Sequence, residues 1–256
     1  CDSIRVSMSN LSLKFIGEIK VTHNGEQSKL PPSKKARALL AYLALIPNKI
    51  SREFLCELFW DIPDDPRGAL RWSLSKLRKI IDTDDYQYIL ADRTYVNFDV
   101  TNVEVDFIRL NTLVSDGLAN IDTEALVVNW ETFQGKFLEG LELDKHSDFY
   151  NWRMNCQEKV NSAQITILKE LISRLPCAEA ITYARTLTMY APADLNSHLQ
   201  LINLLKSNKQ KKEAEKQCQL SIKQLRDFGI DDNGRLQQAL FKQNSNAPVI
   251  EHTIKS

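Results

Sequence analysis

PRGALRWSLSKLRKII, residues 66–81, is the stretch on which the reading of this chain turns. Wound as a helix, it places Leu70, Leu74, Leu77 and Ile81 on one stripe, at steps of three and four. Trp72, Lys76 and Lys79 fall on the opposite side, with Arg71 and Arg78 on its flank. Asp65 supplies an N-cap and Pro66 suits the first helical turn. A helix anchored by its apolar stripe, with a basic, aromatic-tipped outer face, fits the major groove of DNA. Basic amphipathic helices are also common as plain solvated faces, so the neighbouring elements decide between the two readings.

Upstream, residues 11–21 (LSLKFIGEIKV) alternate in part and carry β-branched residues, which predicts strands. His23-Asn24-Gly25-Glu26 supplies a turn into a short return strand. Pro31-Pro32-Ser33 ends the strands, and Ser33 caps a helix with Ala36, Leu39, Leu40, Leu43 and Ala44 inward. Pro47-Asn48 stops that helix. Ser51 caps a second one, with Glu53 in its first turn and Phe54, Leu55, Leu58 and Phe59 inward. The link Ile62-Pro63-Asp64-Asp65-Pro66 then leads into the basic helix, and Asp82-Thr83-Asp84-Asp85 breaks it. Tyr88-Ile89-Leu90 and Tyr95-Val96-Asn97-Phe98, joined by Ala91-Asp92-Arg93-Thr94, form a hairpin with Arg93 at its tip. Strands, three helices and a hairpin are the order of a winged helix, in which the third helix and the hairpin meet DNA.

Charge follows the same division. The 33 basic and 33 acidic residues cancel overall, yet residues 29–79 hold eleven bases and five acids, a net charge of +6. Over residues 101–160 the acids outnumber five bases. A basic module followed by an acidic one suits phosphate binding by the first and protein binding by the second. The 43% hydrophobic and 26% charged fractions are those of an ordinary globular protein, and 256 residues favour two domains. No apolar run approaches a membrane span, and no signal peptide opens the chain, so a cytoplasmic protein is expected. The start at Cys1 rather than Met fits a piece of a longer protein or a processed chain.

Five scattered cysteines (Cys1, Cys56, Cys156, Cys177, Cys218) suggest reduced thiols, with neither a disulfide framework nor zinc spacing. His23, His146, His198 and His252 are too far apart to suggest a metal site. Gly135-Lys136 lacks the upstream glycine of a phosphate-binding loop, and neither a nucleophile elbow nor a zinc-protease motif occurs. The expectation is therefore no catalytic residue, no metal and no cofactor.

From Asp106 onward the pattern is helical. Phe107, Leu110 and Leu113 begin it, and the turn Gln134-Gly135-Lys136-Phe137-Leu138-Glu139-Gly140 interrupts it. Phe149, Trp152 and Met154 open a long segment running to Leu175, which Pro176 ends. Phe133, Phe137, Phe149 and Trp152 read as core. Glu179-Ala180 and Glu213-Ala214 recur 34 positions apart, as do the small residues Ala184 and Cys218, with Pro192 between. That period belongs to tetratricopeptide helix pairs, and generic helix packing explains it about as well. The tail beyond Phe241, polar and containing Pro248, reads as flexible.

Together these residues resemble the Streptomyces antibiotic regulatory protein family. The segment from Ser33 through Lys34-Lys35-Ala36-Arg37-Ala38-Leu39-Leu40 to Ala44 is similar to the first helix of its DNA domain. So are Ser51-Arg52-Glu53, Leu58-Phe59-Trp60, and Ala69-Leu70-Arg71 followed by Leu74-Ser75-Lys76-Leu77-Arg78. Gly135-Lys136-Phe137-Leu138-Glu139-Gly140 and Trp152 resemble the start of the family's bacterial transcriptional activator domain, so the likeness spans residues 11–240. Lys76 stands where the family commonly has Arg, and Trp72 is unusual at an outward position. The resemblance implies an OmpR-type winged helix that binds promoter DNA, followed by a helical activation and oligomerisation domain.

The expected fold is thus an α+β N-terminal winged helix-turn-helix followed by an all-α tetratricopeptide-like helical domain. Residues 10–100 would form the DNA-binding domain, 104–241 the helical domain and 242–256 the tail. Arg71, Lys76, Arg78 and Lys79 would divide between base edges and phosphates. Trp72 would either pack against the second helix or meet a thymine methyl. Arg52, at a helix N-terminus, suits a phosphate. Arg93 and Thr94 suit a minor-groove or backbone contact, or else stabilise their own turn. The expected partners are double-stranded promoter DNA, RNA polymerase and a second copy of the chain, with no membrane. The alternatives are a helical protein-interaction scaffold that does not bind DNA, and the output module of a larger sensor or ATPase.

Overall fold

The computed structural model describes residues 11–60, 65–84, 86–143 and 146–241. Cys1, the linker residues Ile62, Pro63 and Asp64, Asp85, and the tail with Pro248 and His252 lie outside the described residues. The chain forms two compact units: residues up to 120 together with 128–164, and residues 121–127 together with those from 165 onward.

The first unit begins with β1 (Leu11–Lys14), β2 (Lys20–His23) and β3 (Glu26–Ser28), an antiparallel set. Asn24 and Gly25 make the β2–β3 turn with φ of 50° and 85°, the doubly left-handed geometry of a tight hairpin. Next come α1 (Lys34–Leu45), β4 (Ile50–Ser51), α2 (Arg52–Phe59), α3 (Pro66–Ile81), β5 (Ile89–Ala91), β6 (Tyr95–Phe98) and β7 (Val103–Val105). The three expected helix caps are present. Ser33 Oγ accepts from Ala36 N at 3.3 Å, Ser51 Oγ from Phe54 N at 3.1 Å, and Asp65 Oδ1 from Gly68 N at 2.7 Å. The apolar stripes of α1 and α3 are buried, as their spacing requires.

Two strands lie outside the sequence-based expectation. β7 pairs parallel with β1 and closes a sheet of order β3-β2-β1-β7, while the two-residue β4 joins β6 and β5 in a second sheet. Both are too short to carry a periodicity of their own. Phe54 also departs from the expected inward face of α2. It is 42% exposed at the edge of the helix, tilted against Tyr42, because Leu55 and Phe59 fill the inward positions four residues apart.

After β7, α4 (Asp106–Ser115), α5 (Thr123–Thr132) and α6 (Ser147–Arg174) follow. Asp106, nearly buried, receives the amides of Phe15 and Ile16 on its two carboxylate oxygens, at 2.8 and 2.9 Å, and so stops the end of β1. The turn at 134–140 docks on the same place. Gly17 N donates to Lys136 O, and the amides of Leu138 and Glu139 donate to Phe15 O and Gly17 O. The aromatic residues read as core do sit there. Phe133, Phe137 and Phe149 are fully buried, Phe149 lies 5.4 Å from Phe59, and Trp152 lies 4.8 Å from Tyr42 between ring centroids. The start of α6 thus completes the hydrophobic core under α1 and α2.

The second unit continues α6 through α7 (Cys177–Tyr190), α8 (Leu195–Ser207), α9 (Lys211–Asp227) and α10 (Arg235–Phe241). Its packing carries the 34-residue period further than the two sequence units suggested. Leu168, Ile202 and Leu236 are all fully buried, and so are Ala180 and Ala214 at the equivalent place on the alternate helices. Small residues there let paired helices approach closely. His198 is buried as well, its Nε2 donating to Pro192 O and its Nδ1 accepting from Ser221 Oγ, each at 2.9 Å. The fold is therefore a winged helix followed by a tetratricopeptide-like helical array.

Candidate nucleic-acid interface

Helix α3 presents to solvent the face that its sequence implies. Arg71, Trp72, Lys76 and Lys79 are exposed, while Leu70, Leu74, Leu77 and Ile81 are buried. Of the two placements open to Trp72, the outward one is observed, at 49% exposure. Lys76 Nζ lies over its ring, 5.5 Å from the centroid, a cation–π pair on the outer surface. The last turn is anchored by His23, whose Nε2 donates to Ile80 O at 2.8 Å.

Arg78 is placed differently. Its guanidinium turns toward the hairpin and donates from Nε and Nη2 to Ile89 O, at 3.2 and 3.1 Å. Asp82, 3.9 Å from the same Nε, accepts the amides of Tyr88 and Ile89 on Oδ1. Arg52 also serves the hairpin: its Nε donates to Asp92 O at 2.7 Å, and its own amide donates to Thr94 O at 2.8 Å. Arg93 is exposed at the hairpin tip. Thr94 belongs to the turn through its main chain, since its amide and that of Tyr95 both donate to Asp92 Oδ1 at 2.7 Å. Those two amides hold the Asp92 carboxyl below the usual carboxylate range.

Between the hairpin, the start of α2 and the start of α3 lies a concave cleft of about 930 Å³, lined among others by Arg52, Arg67, Arg71 and Arg93. Four arginines from three elements therefore line one hollow, with Glu53, Asp65 and Asp92 also at its walls. Arg67 is the member that sequence reasoning left out of the site. Its signal was available, because Arg67 and Arg71 stand four residues apart and share a helix face.

Elsewhere, among the described residues, no group of three or more His, Cys, Asp or Glu side chains could hold a metal ion. Cys56, Cys156, Cys177 and Cys218 are free thiols, and burial pushes Cys156 up to about 11. Among the described residues no helix is long and apolar enough to cross a membrane.

Comparison with protein-family models and with curated proteins finds no match. Among solved structures, the chain is similar to Mycobacterium tuberculosis EmbR in complex with a low-affinity phosphopeptide, with a TM-score of 0.68 and 18% identity. The match covers 90% of this chain and 64% of that one. At that identity the likeness is one of fold: a winged helix followed by a helical domain.

Proposed function

We propose that this chain is a transcription regulator, and more narrowly an activator, that binds promoter DNA through α3 and the β5–β6 wing. The observation that carries the reading is the convergence of Arg52, Arg67, Arg71 and Arg93 on one cleft beside the exposed Trp72–Lys76 face. A basic cleft beside an exposed basic helix face suits a duplex, with helix side chains at base edges and the surrounding cations on phosphates. Residues 10–100 serve as the DNA-binding part. Within it Arg71, Trp72, Lys76 and Lys79 face the major groove, Arg93 and Thr94 lie against the backbone or minor groove, and Arg52 and Arg78 border that surface. Residues 104–241 form the helical part, through which the chain self-associates and contacts RNA polymerase. The chain acts in the cytoplasm as a binding protein rather than an enzyme, needing no cofactor.

A titration against promoter fragments at several salt concentrations tests this. Each neutralised phosphate contributes about −0.9 to the slope of log affinity against log salt. A slope of several units together with preference for one fragment is expected. Absence of any DNA complex at low salt would overturn the reading and favour a protein-docking scaffold.

A further inference from the structure

Strand β5 is the edge of its sheet, paired on one side only, with β6. The outer edge of such a strand carries main-chain groups that need partners. Here three side chains meet such groups near the two ends of the strand. Asp82 takes the Ile89 amide, Arg78 takes Ile89 O, and Arg52 takes Asp92 O just past the other end of the strand. The Arg52 amide adds a bond to Thr94 O. Arg93 sits between the two residues that Arg52 holds and makes the tip of the wing.

From this arrangement we infer that Arg52 and Arg78 are positioning residues that brace the wing at its two ends and thereby set where Arg93 arrives. The inference rests on the DNA-binding reading above and gives two of its cations a different task. A guanidinium binding a carbonyl through Nε is held in direction by its plane, which a lysine ammonium cannot reproduce. Charge and geometry can therefore be separated by an Arg→Lys exchange. In a phosphate contact, Lys retains most of the function. In a brace, Lys fails.

The test is a double-substitution cycle on DNA affinity using the full chain. Arg52→Lys is expected to weaken binding about tenfold although the charge is kept, the size of one charge-assisted hydrogen bond. Arg93→Ala is expected to weaken binding by a similar factor. The two together should bind no worse than Arg93→Ala alone, because a misplaced wing without Arg93 has nothing further to lose. A general loss of stability would not produce that coupling. Wild-type affinity in Arg52→Lys, or losses that multiply, would overturn the proposal. Amide hydrogen exchange on the free chain gives an arm independent of DNA. Thr94 and Tyr95 should exchange faster in Arg52→Lys at an unchanged melting temperature, and equal protection would overturn the brace. Should the wild-type chain bind no DNA, the functional reading fails, and the exchange result still decides the brace.

Discussion

Arg52 Nε stands 2.7 Å from the main-chain oxygen of Asp92, joining residues forty positions apart in sequence. The start of α2 is therefore tied directly to the wing tip. Asp92 holds the same turn from within, through the amides of Thr94 and Tyr95, and its carboxyl is kept below the usual range by them. A carboxyl lowered in the folded state stabilises it above the ordinary carboxylate range and loses that effect as pH falls through the folded value. Asp92→Ala should accordingly speed amide exchange at Thr94 and Tyr95 at neutral pH. The difference from wild type should shrink in acid.

Arg71 and Arg78 sit seven residues apart on one helix and should behave differently. Arg71 is exposed at the cleft, so Arg71→Ala is expected to weaken DNA binding by about 1–3 kcal/mol while leaving the melting temperature nearly unchanged. Arg78 donates twice to Ile89 O, so Arg78→Ala should lower both affinity and melting temperature. Thermal melts beside anisotropy titrations separate the two.

Phe149 is buried against Phe59 and Trp152, each with ring centroids 5.4 Å away. Phe149→Ala should cost about 3–5 kcal/mol of stability, as large-to-small core substitutions do. Chemical denaturation gives the figure. A change near that size would show that the start of α6 is integral to the core beneath α1 and α2. Under 1 kcal/mol would contradict it.

Asp106 has the opposite titration behaviour to Asp92. Burial raises it to about 6, against the lowering effect of the amides of Ile16, Phe15 and Phe107. A carboxyl raised in the folded state favours folding most below its unfolded value, and this contribution declines as pH rises from about 4 through 6. Asp106→Asn turns an amide donor toward at least one of these three backbone donors and should destabilise the fold by about 1–3 kcal/mol. Denaturation from pH 4 to 7 should show the wild-type margin over the variant narrowing.

Gly135 has φ of 109°, and a Cβ there would lie 2.9 Å from Gly17 Cα, which is backbone and cannot turn aside. Gly135→Ala should therefore loosen the turn at 134–140 from the end of β1 and cost about 1–3 kcal/mol. Faster exchange of the Gly17 and Leu138 amides would locate the effect.

Much of the proposed DNA-facing surface was legible locally. The stripe of α3, its Asp65 cap, the Ser33 and Ser51 caps and the hairpin tip at Arg93 each depend on residues within a few positions of one another. Periodicity and capping chemistry report such features directly. Arg67 could have been added by the same reasoning, from its four-residue spacing to Arg71. The direction of Arg78 could not. Its place on the helix flank is compatible with a groove or a neighbour, and only the position of Ile89 O decides between them.

The sequence by itself determined the order of the first three helices and the hairpin, and the buried stripe and basic face of the helix at 66–81, because each rests on short-range spacing and side-chain chemistry. Only the tertiary structure decided that β7 pairs with β1, that Asp106 holds Phe15 and Ile16, and that Arg52 and Arg78 turn to the wing. Those relations join residues from eleven to ninety-two positions apart. A main-chain carbonyl acquires its partner only when folding brings the two segments together, and no pattern of residue types along the chain encodes that meeting.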